Sequence, residues 1–323
     1  MNERKTITEA EFAERTRPTI RVFLSADLEN STQLKQSPDR LSEKWLAAVL
    51  LFIRQFPQLF GAQLQERARR TSSRETSLPP IWKVLGDELI FVTRVSRRFE
   101  ILALVESFRE ALRIWNYEVK SGTDRGTLRV KGSAWVAGFP VVNAAFYTDD
   151  GREDYAGPSI DAGFRISKLS MPRRLAISVD LAWLLLNIEG LSGSVHFDGP
   201  SKIKGLADDI GYPSLWLEVG RSEYVRSEAH VLGRGDQEKT QEMKNLCRNF
   251  IEEFGVPNYV PFLEDEPELS AKPATYEEQL RIVKEFLRNN VFLVDEDQVG
   301  PSSELTTQQL QDLLERLEGA END

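Results

Sequence analysis

Apolar residues recur along this chain in strand-like and helix-like patterns. An uninterrupted apolar and β-branched stretch at 20–26 predicts a buried strand. Residues 41–60 carry apolar side chains every three or four positions, which predicts an amphipathic helix. The stretches 81–85 and 88–93 predict two strands joined by a tight Gly-Asp turn.

The same patterns continue through the middle of the chain. They predict, in order, a helix, a strand, a helix, a short strand and a helix at 99–119, 128–139, 161–169, 175–178 and 179–186. Strand, helix, hairpin, helix, strand, helix and strand is an α+β order that resembles the ferredoxin-like βαββαβ plan. We therefore predict an α+β fold.

Polar segments set the predicted domain limits. Residues 1–19 read as a helical turn or a loose lead-in, and residues 63–80 as an exposed loop or mobile arm inserted in the domain 20–219. After residue 219 the pattern changes to amphipathic helices separated by acidic, Pro-rich linkers, at 238–254, 276–289 and 306–317. We therefore predict a helical C-terminal region over 220–323, whose role the sequence does not indicate.

The composition restricts the kinds of chemistry that the chain can perform. The 323 residues carry a formal net charge of -10, which argues against binding along a nucleic-acid backbone. The chain has one cysteine, Cys247, and two histidines, His196 and His230. This composition argues against disulfides, Cys/His zinc sites and Ser/His or Cys/His catalysis. Any metal must therefore bind oxygen ligands.

The sequence also lacks the usual signals for membrane insertion or export. It has no run of 18 apolar residues, and its N-terminal segment lacks the apolar core of a signal peptide. We therefore expect a cytoplasmic protein without membrane insertion.

Two carboxylates stand at the ends of apolar strands. Asp27 follows the first strand, and Asp87 lies in the hairpin turn. A carboxylate at the end of a buried strand needs a partner, and a divalent cation accepts two of them, whereas an isolated Asp in a turn is commonly a cap. Residues 28–32 turn from strand to helix, so their N–H groups and the Thr32 hydroxyl could bind phosphate or form an ordinary N-cap.

Over residues 20–219 the chain resembles the class III nucleotidyl cyclases, the catalytic domains of adenylate and guanylate cyclases. Four of its segments match family motifs in the family's order, and a fifth takes the place of the strand pair before the Asn/Arg helix. The matching segments are FLSADLENST, KVLGDELIF, GPSIDAGFRISKL and SKIKGLADDIGYPSLWLEV, and the fifth is LRVKGSAWVAGF. Each motif alone is weak, but four in order identify the family more specifically.

The resemblance implies a set of roles at the reacting phosphate. Asp27, Asp87 and the backbone carbonyl of Leu28 would bind two Mn²⁺ or Mg²⁺ ions per active site. Lys204 would contact the triphosphate, and Arg165 would stabilise the pentavalent α-phosphate. The family's Asn before this Arg is Asp161 here, so a carboxylate stands where an amide is expected, and Asp161 would orient Arg165 or the ribose.

The resemblance further implies an obligate head-to-tail homodimer with shared active sites. The metal-binding carboxylates of one subunit would face Arg165 and Lys204 of the other. A nucleoside triphosphate would be the substrate, and a separate effector would read the cyclic product.

Two positions correspond to the family's base-reading residues. Lys83 and Asp154 stand where adenylate cyclases carry Lys and Asp, yet a Lys donor and an Asp acceptor also complement uracil. Trp45 or Trp82 could fill the space left by a smaller base, or be plain core residues. The sequence around Asp27 and the polar insertion resemble those of the pyrimidine cyclases of bacterial Pycsar antiphage systems. This resemblance favours UTP over ATP and CTP as the substrate.

Two other classes compete with this interpretation. The domain could be a catalytically silent nucleotide-binding and dimerisation module, although such a module does not need all four of Asp27, Asp87, Arg165 and Lys204. A GGDEF-like or polymerase-palm relative would share the βαββαβ core, but the sequence contains no Gly-Gly-(Asp/Glu)-Glu-Phe string.

Overall fold

The computed structural model describes most of the predicted elements. Its described residues are 5–29, 42–71, 76–117, 128–147, 152–188, 195–207, 210–220, 239–254 and 275–294, with the isolated positions Glu223, Ser227, Val231 and Leu263. The predicted helix 306–317 lies outside these residues.

Strands and helices alternate through the described residues. In chain order they are β1 (Lys5–Thr8), α1 (Glu9–Arg15), β2 (Thr19–Leu28), α2 (Ser42–Thr71), β3 (Ile81–Leu85), β4 (Glu88–Val95), α3 (Arg98–Tyr117), β5 (Val130–Phe139), β6 (Ala144–Tyr147), β7 (Glu153–Ala156), α4 (Pro158–Ile166), β8 (Arg174–Ile177), α5 (Val179–Leu186), β9 (Val195–Ser201), β10 (Tyr212–Glu218), α6 (Lys239–Glu253), α7 (Tyr276–Asn290) and β11 (Val291–Val294).

A seven-stranded sheet with the order β3-β4-β2-β5-β8-β10-β9 forms the centre of the fold. β3 and β4 are antiparallel, β5 and β8 are parallel, and β10 is antiparallel to both β8 and β9. The stretch from β2 to β5 is a βαββαβ unit whose strands lie in the order β3-β4-β2-β5, as in a ferredoxin-like sheet. The predicted α+β fold is therefore confirmed.

Helix α2 covers the sheet with a stripe of aromatic side chains. Phe56 and Phe60 are fully buried, and their rings lie 5.7 and 5.3 Å from that of Phe108 on α3. Among the described residues, one segment, Trp45–Thr71, is long and apolar enough to cross a membrane, judged by length and composition alone. The most apolar window of this segment is 22% buried inside the protein.

The exposed loop predicted for residues 63–80 is wrong over its first half, because α2 continues to Thr71. Gln, Glu and Arg, which made this segment look like a loop, are good helix formers. The Leu64 side chain is buried, and Arg70 pairs with Glu66 one turn earlier at 2.8 Å. Residues 76–80 do lie outside helices and strands.

Two short strands near the ends of the described chain were not predicted. β1 and β11 pair in parallel, with Lys5 opposite Val291 and Thr8 opposite Val294. Residues 1–19 therefore contain a paired strand as well as the helical turn α1. The helices predicted at 238–254 and 276–289 are confirmed as α6 and α7.

The chain forms two compact units. The first comprises Met1–Arg21, Ala137–Asp161 and Val256–Asp323, and the second comprises Val22–Val136 and Ala162–Gly255. The predicted division into 20–219 and 220–323 stays a prediction.

Candidate active site

Asp27 and Asp87 stand at neighbouring positions of the central sheet. Asp27 is the penultimate residue of β2, and Asp87 lies in the turn from β3 into β4. β2 and β4 are adjacent, and the backbone N–H of Leu28 donates to the carbonyl oxygen of Asp87 at 3.3 Å. The fold therefore brings the two predicted metal-binding residues to adjoining ends of two neighbouring strands.

Three polar side chains that sequence reasoning missed surround this pair. The Lys131 ammonium on β5 lies 3.1 Å from Oδ2 of Asp27. The Ser25 hydroxyl on β2 donates to Oε1 of Glu88 at 2.5 Å. A signal was available for Lys131, because it is the only charged residue in the strand VKGSAWVAGF.

Negative charge is concentrated at these strand ends. Burial raises the pKa of Glu88 above its ordinary value, and the charges of Asp27 and Asp87 act in the same direction. The hydrogen bond from Ser25 and the charge of Lys131 oppose this rise. The site is therefore one where added positive charge is favourable.

The residues present fit a hard divalent cation. Mg²⁺ is commonly bound by one or two carboxylates, together with water and substrate phosphate oxygens. Asp27, Asp87 and the Leu28 carbonyl supply such oxygen ligands. In the part of the chain that the structure describes, no group of three or more acidic, His or Cys side chains could hold a metal ion by itself. A cation at this site would therefore need backbone, water or phosphate oxygens as well.

Replacing Lys131 by methionine should strengthen metal binding in the absence of nucleotide. Its ammonium competes with a cation for Asp27, and a partly exposed ion pair is worth up to about 1 kcal/mol, or roughly fivefold in affinity. Titration with Mn²⁺, followed by electron paramagnetic resonance, would measure the change. The exposed Lys202→Met serves as the control. If Lys131→Met bound Mn²⁺ no more tightly than wild type, the proposed competition between the Lys131 ammonium and the metal ion would be contradicted.

Arg165 and Lys204 also lie together in the structure. Arg165 is in the last turn of α4, and its guanidinium donates to the backbone carbonyl of Lys204, in the turn between β9 and β10. The next residue, Gly205, has a φ of 73°, and a Cβ atom there would overlap with Nη1 of Arg165. A glycine therefore leaves the space that the arginine occupies.

Close packing fixes the part of α4 that carries Arg165. A Cβ atom at Gly163 would overlap with the indole of Trp135 on β5, so the glycine lets the helix approach the sheet. The next side chain, Phe164, packs on the same indole with ring centres 5.7 Å apart. These contacts hold the helix turn from which Arg165 projects.

Lys83 lies beside Trp82 on the edge strand β3. Its ammonium is 4.5 Å from the centre of the Trp82 ring, and that ring contacts Phe23 and Phe164 at 5.5 and 6.1 Å. Trp82 is half-buried in this aromatic cluster, while Trp45 is half-buried at the start of α2. Trp82 is thus the predicted pocket residue that contacts a predicted base-reading residue.

Asp154 is located on β7, opposite Phe146 of β6. Its Oδ1 accepts a hydrogen bond from the backbone N–H of Tyr155 at 2.8 Å. Asp154 belongs to the first compact unit and Lys83 to the second, so their joint reading of one base stays a prediction.

Two other predicted site residues have less structural context. Asp161 is exposed in the first turn of α4, where its backbone N–H donates to the Gly157 carbonyl at 3.1 Å. A carboxylate in the first turn is favourable to the helix dipole, which is a structural role for Asp161 that does not need a substrate. Thr32 lies outside the described residues.

Comparisons with known proteins find likeness among solved structures alone. No protein-family model and no curated protein matches this chain. The adenylyl cyclase CyaB from P. aeruginosa is 14% identical, with a TM-score of 0.42, over 64% of this chain and 97% of that one. The guanylyl cyclase Cya2 is 17% identical, with a TM-score of 0.43, over 64% of this chain and 95% of that one.

A third structure is the guanylate cyclase domain of RhGC from Catenaria anguillulae in complex with GTP. It is 14% identical, with a TM-score of 0.43, over 64% of this chain and 100% of that one.

Proposed function

We propose that this protein is a nucleotide cyclase that converts a nucleoside triphosphate, UTP in the first instance, into its 3′,5′-cyclic monophosphate and pyrophosphate. The observation that carries the proposal is that Asp27 and Asp87 lie at adjoining ends of β2 and β4, where the backbone N–H of Leu28 donates to the Asp87 carbonyl. The hydrogen bond from Arg165 to the Lys204 backbone carbonyl supports it, because the guanidinium reaches the turn that carries the second predicted phosphate-binding residue.

The reaction exchanges a phosphoanhydride bond for a phosphoester bond. The 3′-oxygen forms a bond to the α-phosphorus, the bond from that phosphorus to the bridging oxygen breaks, and pyrophosphate leaves. The 3′-hydroxyl proton passes to solvent. Mg²⁺ or Mn²⁺ bound at Asp27 and Asp87 would supply the positive charge that acidifies the 3′-hydroxyl and neutralises the pyrophosphate leaving group.

The chain's own residues would bind and orient the substrate. Asp27, Asp87 and the Leu28 carbonyl supply the oxygen ligands for two cations. Arg165 donates hydrogen bonds to the α-phosphate as charge develops on it, and Lys204 binds the triphosphate. Asp161, one helical turn before Arg165, would orient it or the ribose, and Thr32 would bind phosphate.

The base assignment depends on hydrogen-bond complementarity. Lys83 can donate to O4 of uracil, and Asp154 can accept from its N3–H. The same pair can read adenine, so an adenylate cyclase is the second candidate. We further propose that the product is a second messenger in antiphage defence, made in the cytoplasm and read by a separate effector.

Incubation with Mn²⁺ and each of ATP, GTP, CTP and UTP, followed by mass spectrometry, tests the proposal. Cyclic UMP as the main product would support the pyrimidine cyclase, and cyclic AMP would favour the second candidate. If none of the four nucleotides gave a cyclic product with the purified dimer, the cyclase proposal would fail in favour of a silent nucleotide-binding module.

Mixed dimers should recover activity that neither parent has. In a homodimer with shared sites, Asp27→Ala and Arg165→Ala disable opposite halves of a site, so each mixed dimer keeps one intact site. We expect up to about half of the wild-type rate per mixed dimer, measured on heterodimers purified with two affinity tags.

The matched control is a mixture of Asp27→Ala with Asp87→Ala. Both substitutions affect the same half of the site, so these heterodimers should stay inactive. If both mixtures stayed inactive despite verified subunit exchange, the shared-site arrangement would be wrong.

A further inference from the structure

Arg21 is a buried cation whose partners flank the predicted base-reading residue. It lies on β2 with 7% of its surface exposed. Its guanidinium binds the Glu153 carboxylate in a bidentate manner, with Nη1 to Oε2 and Nη2 to Oε1 both at 2.7 Å. A buried charge requires such a partner, and the paired geometry is specific to arginine.

Tyr155 completes this cluster from the next position on the same face. Its hydroxyl donates to Oε2 of Glu153 at 2.7 Å and contacts Nη1 of Arg21. The guanidinium carbon lies 4.6 Å from the centre of the Tyr155 ring and 5.2 Å from that of Phe139. Burial raises the pKa of Tyr155, so its hydroxyl stays protonated at neutral pH and can donate.

Asp154 lies between the two residues that Arg21 holds. Side chains alternate between the faces of a strand, so Glu153 and Tyr155 share one face of β7 and Asp154 occupies the other. The Asp154 carboxylate is also held by the backbone N–H of Tyr155 at 2.8 Å. A change in the Arg21 contacts would therefore displace the backbone that orients Asp154.

From this arrangement we infer that Arg21 is a positioning residue for base selection: by binding Glu153 and Tyr155 it fixes β7 so that Asp154 presents its carboxylate to the base in one orientation. The inference rests on the proposed function, in which Asp154 reads the base. It assigns a role in choosing the nucleotide to a residue that is not among the predicted phosphate-binding or metal-binding residues.

The test compares Arg21→Lys with a matched arginine elsewhere. Arg174 on β8 also pairs with a carboxylate, Asp198, and also covers an aromatic ring, that of Trp216 at 4.4 Å. Lysine keeps the charge at either position but loses the planar guanidinium. Arg174→Lys therefore makes the same substitution at an arginine outside the strand that carries Asp154.

The measurement is kcat/KM for the best nucleotide divided by that for the next best. We expect Asp154→Asn to move this ratio towards one, and Arg21→Lys to move it the same way by at least threefold, mainly through KM. Glu153→Gln should act like Arg21→Lys, because it weakens the same contacts. Arg174→Lys should leave the ratio within twofold, and thermal melting would show whether the two Lys variants are similarly folded.

The outcomes separate the inference from the proposed function. If Asp154→Asn changes the ratio and Arg21→Lys does not, Arg21 has only a structural role and the inference is overturned. If the wild-type protein makes no cyclic product, the proposed function fails. In that case the affinities of the four nucleotides are measured by their displacement of a bound fluorescent nucleotide analogue. The inference is wrong if Arg21→Lys and wild type show the same order of affinity for the four nucleotides.

Discussion

Replacing either Asp27 or Asp87 by alanine should reduce cyclic nucleotide formation by at least about a thousandfold, because in the proposed function each change removes a ligand for the cations that would neutralise the reacting phosphates. The two residues lie at adjoining strand ends, where the Leu28 N–H donates to the Asp87 carbonyl, so the same large loss is expected for either substitution. The rate of product formation with each nucleotide and Mn²⁺, measured by mass spectrometry, gives the size of the effect.

A second readout makes this prediction independent of turnover. Asp27→Asn keeps the size of the side chain but removes its charge, and Mn²⁺ titration should show weakened binding. Asp198→Asn is the matched control, because Asp198 is also a carboxylate on a strand, β9, and pairs with the Arg174 guanidinium. Full activity in both alanine variants would remove the metal-binding assignment, whereas dissociation of the proposed dimer would point to a structural defect instead.

Replacing Gly205 by alanine should reduce kcat by about 100-fold, the effect expected when one transition-state donor is lost. The new Cβ atom would overlap with Nη1 of Arg165 and force the guanidinium away from the Lys204 carbonyl. Because the proposed role of Arg165 is to stabilise charge that develops in the transition state, kcat should fall more than KM rises. Steady-state kinetics would separate the two.

Gly199 provides the control for backbone strain. Its φ is 100°, so alanine is strained there too, but an added Cβ atom would meet nothing within 4 Å. Gly199→Ala should therefore lose stability, by an amount on the order of 1–2 kcal/mol, and keep its activity. The double variant Arg165→Ala with Gly205→Ala should be no slower than Arg165→Ala alone. An additive loss would mean that Gly205 acts through something other than Arg165.

Local patterns were sufficient to predict most of the secondary structure. Helix α5 spans 179–186 as predicted, because its apolar residues follow Ser178, whose side chain accepts a hydrogen bond from the Leu181 N–H as an N-cap. The strands at 81–85 and from 88 also begin as predicted, on either side of the Gly-Asp turn. Each of these signals operates over a few residues, so sequence alone reveals it.

The tertiary structure decided what depends on distant residues. The strand β1 could not be predicted, since it is paired with β11 almost the whole described chain away. Polarity misled the interpretation of 63–71, because burial of Leu64 on a helix outweighs the polar character of its neighbours.

The candidate site divides in the same way. The sequence by itself indicated the residue types, with Asp27 and Asp87 at strand ends and Arg165 and Lys204 in family-like motifs. Only the fold placed Lys131 against Asp27, and Arg21 against Glu153, 132 positions away in sequence. The pattern of charged residues in the sequence indicates which groups a site can use. Strand order and packing determine which of those groups lie in contact.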